Sequence, residues 1–195
     1  MADNIIDLIQ QRLNYPNLQQ IDPNTQERRN DQQKGGGFQK LVQAAVPAVL
    51  VALQKYLQKP GNMDAILKGT SSSGWLDAIF GTNKQTAIQK IAEYSGTITV
   101  QAEREMEKVA DEAVIAIREN IPKNAKPEDV TTYLGNQKSS ILSRLPAALQ
   151  IGDLLGDDTV DDRTHKMQGP ISSLMHKIED SFSGSTTKSE DKDKK

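Results

Sequence analysis

The chain has 195 residues, of which 36% are hydrophobic and 26% charged; its formal net charge is −2 and it has no cysteine. The lack of cysteine excludes disulfides and thiolate metal sites. We predict no nucleic-acid partner, because phosphate contacts need a basic surface and the chain has no Lys/Arg run with interleaved aromatic residues. The length fits one domain or a compact pair.

The start of the sequence carries neither a basic region nor a long apolar stretch, so no secretory signal is predicted. The most apolar run, residues 41–53, contains Gln43 and Pro47 and is shorter than the roughly 20 residues that span a bilayer. It lacks the basic polar face of an interfacial helix. We therefore expect a cytoplasmic protein for which membrane contact is the weaker alternative.

The N-terminal part, residues 1–37, is predicted to be a helix followed by a polar linker. Apolar residues at helical spacing predict the helix over 3–13, which Pro16 and its neighbours end. The rest is rich in Gln and Asn, with a polar helix possible over 23–33. Three glycines at 35–37 are interpreted as a hinge before the next segment.

The most hydrophobic segment, residues 38–57, is predicted to be a helix that is apolar nearly all round. Such a helix usually lies at the centre of a core. Pro47 removes a backbone donor and should kink or divide it. Shorter helices are expected over 63–67, over 75–80, and from a cap at Thr82 to Gly96.

The clearest amphipathic helix is predicted to start at Thr99 and to end before Pro122. Its apolar stripe comprises Met106, Val109, Ala110, Ala113, Val114, Ile117 and Ile121. Further helices are expected from Pro127, over 139–145 and over 151–155. Residues 97–100 are too short to found a sheet. The fold class predicted is therefore all-α, a multi-helix bundle with its core domain over 38–156.

A weak internal sequence similarity suggests a two-fold repeat. At a fixed offset, one group of residues matches another: Ala45, Ala48, Val49 and Leu50 align with Ala110, Ala113, Val114 and Ile115. Two related halves packed together would produce this pattern, and so would chance similarity between Ala-rich helices.

The C-terminal part changes in character from residue 157. An acidic linker over 157–169 precedes an amphipathic segment over 170–183, and the tail over 184–195 is predicted to be disordered. The apolar residues of the segment recur at the spacing of a helix that lays one face in a groove. We predict that they bind a partner: Ile171, Leu174, Met175, Ile178 and Phe182. The segment could equally fold back on its own domain.

Several runs resemble those of a known family. They are the run WLDAIFG at 75–81, the run VPAVL at 46–50 and, most specifically, the run QKSSI at 137–141 before Leu145-Pro146. Over roughly 38–156 the chain resembles the YidB-like helical family of bacteria, a domain of unknown function, and in particular its members from Bacteroidetes. The resemblance implies an all-helical fold and brings no established activity. The charged stretch 106–112 departs from the Ala-Pro pair of those members.

No catalytic motif is found in the sequence. There is no G-x-S-x-G elbow, and Ser-x-x-Lys occurs only in the tail. The glycines at 35–37 are not followed by Lys-Ser/Thr, so they form no phosphate loop. His165 and His176 lack the other ligands of a zinc site and are predicted to be exposed. We predict no catalytic residue, no cofactor and no bound metal.

The acidic stretch at 153–162 leaves one alternative open. It contains Asp153, Asp157, Asp158, Asp161 and Asp162, but not the spacing of an EF-hand. A solvated acidic linker is favoured. The alternative is a metal-assisted enzyme of unknown type with Asp153, Asp157 or Asp161 as ligands.

Together these patterns predict a non-enzymatic structural or protein-interaction module. It would associate with itself or dock a protein partner through its C-terminal helix. The alternatives are the metal-assisted enzyme and a scaffold lying on a membrane surface.

Overall fold

The computed structural model describes residues 4–21, 36–59, 61–122 and 124–157, and residue 160. These residues form an all-α fold without a β-strand, which confirms the predicted fold class. The helices are α1 (Ile5–Leu13), α2 (Gly37–Leu57), α3 (Asn62–Lys68), α4 (Trp75–Phe80), α5 (Lys84–Ser95), α6 (Thr99–Asn120), α7 (Pro127–Gly135), α8 (Lys138–Leu142) and α9 (Ile151–Leu155). Short 3₁₀ turns lie at Gly81–Asn83 and Ala147–Leu149. The predicted polar helix over 23–33 lies outside the described residues.

Helix α2 forms the centre of the core. All of residues 41–53 are buried, and α4, α5, α6, α8 and α9 pack around them. The predicted central position is therefore confirmed. The helix runs unbroken through Pro47, so the proline does not divide it, and the alternative of a kink stays a prediction. Proline removes only one backbone hydrogen bond, and the helices packed around α2 stabilise both of its halves.

Helix α2 is also the one helix among the described residues that is long and apolar enough to cross a membrane. However, 72% of the most apolar 18-residue stretch of this helix is buried inside the molecule. The core helix of a soluble protein meets the same length and composition criterion, so this feature carries no argument for a membrane location.

Helix α6 follows the predicted stripe, and every residue of that stripe is buried. One local prediction was wrong, because Thr82 lies in a 3₁₀ turn and α5 starts at Lys84. The predicted start of α6 at Thr99 is confirmed. Helices α2 and α6 pack directly on each other. Leu50 is fully buried whereas its counterpart Ile115 is 42% exposed, and the internal repeat stays a prediction.

Residues 4–21, the N-terminal arm, share the core with the residues after 36. The arm comprises α1 and the extended residues 14–21. Ile5, Ile6 and Ile9 of α1 are fully buried, and Tyr15 and Leu18 are 9% exposed. Asn4 caps the start of α1 by accepting a hydrogen bond from the Ile6 amide. The arm is thus an integral layer of the bundle, and the domain boundaries drawn from sequence stay predictions.

Two glycines provide a matched test of local packing. Gly69 ends α3 at φ +67°, and a Cβ there would lie 2.3 Å from Nη1 of Arg118. Gly69→Ala should therefore destabilise the protein by about 1–2 kcal/mol, because the left-handed conformation is strained and Arg118 must move. Gly135→Ala meets nothing within 4 Å and should stabilise α7 by up to about 1 kcal/mol. Urea denaturation of both variants measures this difference. Equal changes in the free energy of unfolding, with the same sign in both variants, would contradict this assignment.

Candidate functional site

Helix α7 separates two clefts on the surface. Pro127 starts the helix, and the Asp129 carboxylate accepts a hydrogen bond from the Lys126 amide, which caps its first turn. One face of α7 is buried through Val130, Tyr133 and Leu134. The remaining faces line one cleft on each side of the helix.

The first cleft, here called the polar cleft, is open and has a volume of about 590 Å³. Its described lining consists mainly of carboxamide and hydroxyl side chains and contains no cationic side chain. The lining residues are Asn4, Asn120, Ile121, Pro122, Asp129, Thr132, Tyr133, Asn136, Gln137 and Ser140.

The walls of the polar cleft are held together by hydrogen bonds between the chain's early and late segments. Gln137 Oε1 accepts a hydrogen bond of 2.6 Å from the backbone amide of Ile5. Asn4 Nδ2 donates to Ser140 Oγ at 3.3 Å. The start of α1 is thereby fixed to the turn between α7 and α8, so the N-terminal arm supplies one wall of the cleft.

Part of the hydrogen-bonding capacity of this lining is unused by the described residues. No hydrogen bond among them involves the side-chain amide of Asn136, which is exposed. Asn120 donates through Nδ2 to the Ala116 carbonyl, and Asp129 accepts through one oxygen only. Asn120 Oδ1, the second Asp129 oxygen and the Asn136 amide can therefore serve a ligand.

The second cleft, here called the apolar cleft, lies on the other side of α7 and has a volume of about 250 Å³. Leu57 and Leu134 form its floor and are 4% and 2% exposed. Polar side chains surround this floor, and Gln54 donates to the Leu134 carbonyl at 3.0 Å. The lining residues are Gln54, Leu57, Gln58, Met63, Thr131, Leu134, Gly135 and Lys138.

A buried carboxamide elsewhere in the fold shows how such a group can hold an extended chain. Gln43 is 2% exposed in the middle of α2. Its Oε1 accepts from the Gln19 amide at 2.9 Å, and its Nε2 donates to the Gln19 carbonyl at 3.1 Å and to the Arg144 carbonyl at 2.8 Å. One glutamine side chain thus binds both main-chain groups of a single residue.

A buried hydrogen bond between Tyr15 and Glu105 fixes the other end of the extended residues. The Tyr15 hydroxyl donates to Glu105 Oε2 at 2.6 Å, and Lys108 lies 2.8 Å from the other carboxylate oxygen. Burial opposes the charge of Glu105, but the hydrogen bonds from Lys108 and Tyr15 outweigh it and lower the pKa of Glu105. Burial and the hydrogen bond to Glu105 raise the pKa of Tyr15.

This pair predicts a dependence of stability on pH. The pKa of Tyr15 is raised in the folded state, so the hydroxyl stabilises the fold fully at any pH below the unfolded pKa of about 10. This contribution to the free energy of unfolding is lost as the pH rises above that value. The contribution of Glu105, whose pKa is lowered, is lost as the pH falls below the usual glutamate range.

Replacing either residue of the pair should lower the free energy of unfolding by an amount that depends on pH. At neutral pH, Tyr15→Phe should cost about 1.5–3 kcal/mol, and this cost should shrink above pH 10. The cost of Glu105→Gln should shrink in acid. Chemical denaturation across pH checks both trends. Costs that stay constant with pH would contradict this account of the pair.

The residues singled out by sequence are only partly within the described chain. Asp153 is exposed, and Asp157 Oδ2 lies 3.8 Å from Lys55 Nζ. No group of three or more His, Asp or Glu able to hold a metal occurs among the described residues. Outside them lie Asp158, Asp161, Asp162, His165, His176, Ile171, Leu174, Met175, Ile178 and Phe182. The metal alternative and the C-terminal partner site stay predictions.

Comparisons with protein-family models, with curated proteins and with solved structures found no match. The resemblance to the YidB-like family therefore stays a prediction. The run 137–141, on which that resemblance depends most, forms the entry into α8, and Gln137 and Ser140 within it line the polar cleft.

Proposed function

We propose that this protein is a non-enzymatic interaction module that binds an extended segment of a partner polypeptide in the polar cleft. The observation that carries the proposal is the lining of this cleft, in which the Asn136 amide, Asn120 Oδ1 and the second Asp129 oxygen remain available around an open volume of about 590 Å³. A carboxamide offers an acceptor and two donors, which match the carbonyl and amide groups of a peptide main chain. The volume is within the usual range for binding sites.

The binding mode of Gln43 supports this proposal. Inside the fold, one carboxamide holds both main-chain groups of Gln19. Asn120 and Asn136 offer the same chemistry in the polar cleft. Because main-chain groups are common to all sequences, such contacts position a segment, and the remaining lining selects its side chains. Asp129 is the charged group of the described lining, so a neutral or basic segment fits better than an acidic one.

The same lining does not favour an enzyme. A hydroxyl nucleophile needs a general base beside it. In the described lining the titratable base is Asp129, which accepts from the Lys126 amide, and the Thr132 hydroxyl donates to the Glu128 carbonyl instead. A binding function therefore accounts for these side chains better than a catalytic one does.

A peptide display library tests the proposal with the full chain as the target. Random peptides are selected on the wild type, and their affinities are then measured for two variants of similar chemistry. Asn136→Trp fills the polar cleft, whereas Gln85→Trp places the same side chain on an exposed face of α5.

We expect selected peptides to bind the wild type and Gln85→Trp equally, and to bind Asn136→Trp about tenfold or more weakly, which corresponds to about 1.4 kcal/mol or more. Both variants should keep the thermal stability of the wild type. If no peptide is enriched, or if Asn136→Trp leaves the affinities unchanged, the polar cleft is not a peptide site.

A further inference from the structure

We propose that the C-terminal segment 170–183 docks on its own chain, with its apolar stripe across the apolar cleft and one large side chain inserted between Leu57, Met63 and Leu134. This inference concerns the opposite side of α7 and does not depend on the proposed function of the polar cleft.

The apolar cleft has the size and composition of a socket for one apolar side chain. Its volume of about 250 Å³ exceeds the roughly 150 Å³ that hold a benzene ring. The floor of Leu57 and Leu134 is apolar and the surrounding side chains are polar, as in the centre and the rim of a protein interface. The segment supplies suitable side chains at helical spacing: Ile171, Leu174, Met175, Ile178 and Phe182.

The described chain ends on the same side of the fold as this cleft. Val160 is 3% exposed and belongs to the core, and Asp157 lies beside Lys55 in the last turns of α2. Gln54 and Gln58, in the same turns, line the cleft. From the spacing of a helix, Lys55 lies within about 10–15 Å of the cleft, and Asp157 lies beside it near the end of the described chain.

The length of the intervening chain favours this cleft over an exposed apolar surface near the opposite end of α2. That surface lies at the start of α2 and α6, where Phe38, Ile98 and Val100 are 43%, 70% and 69% exposed. It is about 26 Å from Lys55 along the axis of α2. Nine residues, 161–169, separate Val160 from the segment, and for a chain of that length the random-coil relation gives an end-to-end distance of roughly 15–18 Å, which matches the distance to the apolar cleft.

Charge is also complementary at the rim of the cleft. Lys138 lines the cleft and forms no ion pair among the described residues. Glu179 and Asp180 follow Ile178 on the segment. A helix that places its stripe in the cleft brings Glu179, at the flank of the stripe, to the rim, where an ion pair with Lys138 would fix the direction of the helix, whereas Asp180 falls on the opposite face.

Because the chain contains no cysteine, introduced pairs of cysteines can test the proposal in the full-length protein. One cysteine replaces Thr131 at the rim of the apolar cleft, and the other replaces Ser173 or Ser181 on the segment. In the control pair, the same segment cysteine is combined with Gln85→Cys, and Thr131 is left unchanged. Gln85 is also within reach of the tail, because the nearby Asn83 donates a hydrogen bond to the Leu154 carbonyl at 2.8 Å.

At low protein concentration, at least one pair with Thr131→Cys should form its intramolecular disulfide about tenfold or more faster than the control pair. The additional changes Ile178→Ser and Phe182→Ser should abolish this preference, with the helical content of the protein unchanged. Equal rates for the two pairs would show a tethered but undocked segment. Rates that rise with protein concentration and yield dimers would show docking on a second copy. Either result overturns the proposal.

Discussion

Replacing Gln43 by leucine is expected to lower the free energy of unfolding by about 2–4 kcal/mol, although leucine is apolar and of similar size. The carboxamide of Gln43 satisfies three main-chain groups, two of Gln19 and one of Arg144. Each such group loses a partner in the variant, and a buried group without a partner costs about 1–3 kcal/mol. In the variant, the extended residues 14–21 can detach and expose their main-chain groups to water, which limits the total loss in free energy of unfolding.

Gln54→Leu is the matched control for this prediction. Gln54 lies in the same helix but donates a single hydrogen bond, to the Leu134 carbonyl, and is only half-buried. Its replacement should cost about 1 kcal/mol. Amide exchange gives a second readout, because only Gln43→Leu should expose the amides of Gln19 and Ile21. Similar losses in the two variants, or unchanged exchange at Gln19, would contradict the role assigned to Gln43.

The second large effect is expected for Ile9→Ala, which should cost about 2–5 kcal/mol. Ile9 is fully buried where α1 packs on α6, so truncation leaves a cavity in the common core. Leu53→Ala, at a fully buried position of α2, should cost a similar amount. Leu8 is only half-buried, and Leu8→Ala should cost clearly less.

Thermal and chemical unfolding of these variants distinguishes an integral arm from an appended helix. If the arm belongs to the core, Ile9→Ala and Leu53→Ala both shift a single cooperative transition. If α1 were merely attached, Ile9→Ala would melt α1 at low temperature and leave the main transition in place. That outcome would show that the bundle does not need its N-terminal arm.

The long helices could be predicted from sequence because their apolar residues repeat with the period of a helix. For α6, both the stripe and the end before Pro122 match the structure. The end of α5 was also located by its glycine, Gly96, which forms a left-handed cap. Where the local signal was ambiguous, as at Thr82, the first turn of the helix was misplaced.

The polar contacts inside the core could not be predicted in this way. Gln43 and Glu105 are both buried, although one interrupts an apolar run and the other lies on what the pattern marks as a polar face. Their partners, Gln19 and Tyr15, come from a segment whose composition suggests a linker. Burial of a polar residue depends on a hydrogen-bond partner distant in sequence, and hydrophobic periodicity carries no information about it.

The candidate site was missed for the same reason. The polar cleft combines Asn4, Asn120 and Asn136, which lie on three segments far apart in the chain. None of them belongs to a motif, and asparagine at the end of a helix is common for conformational reasons alone. Sequence patterns pointed instead to the acidic stretch, of which the structure describes residues 153–157 and 160, and to the C-terminal segment 170–183, which lies outside the described residues.

The most direct test of the account is a two-dimensional nitrogen–proton NMR spectrum of the full chain, recorded with and without a peptide selected on it. The side-chain amides of Asn120 and Asn136 give their own signals in this spectrum. The account predicts that these two signals shift on titration while the side-chain amide of Gln85 does not. Shifts concentrated around Ile98 and Val100, with Asn120 and Asn136 unmoved, would contradict it.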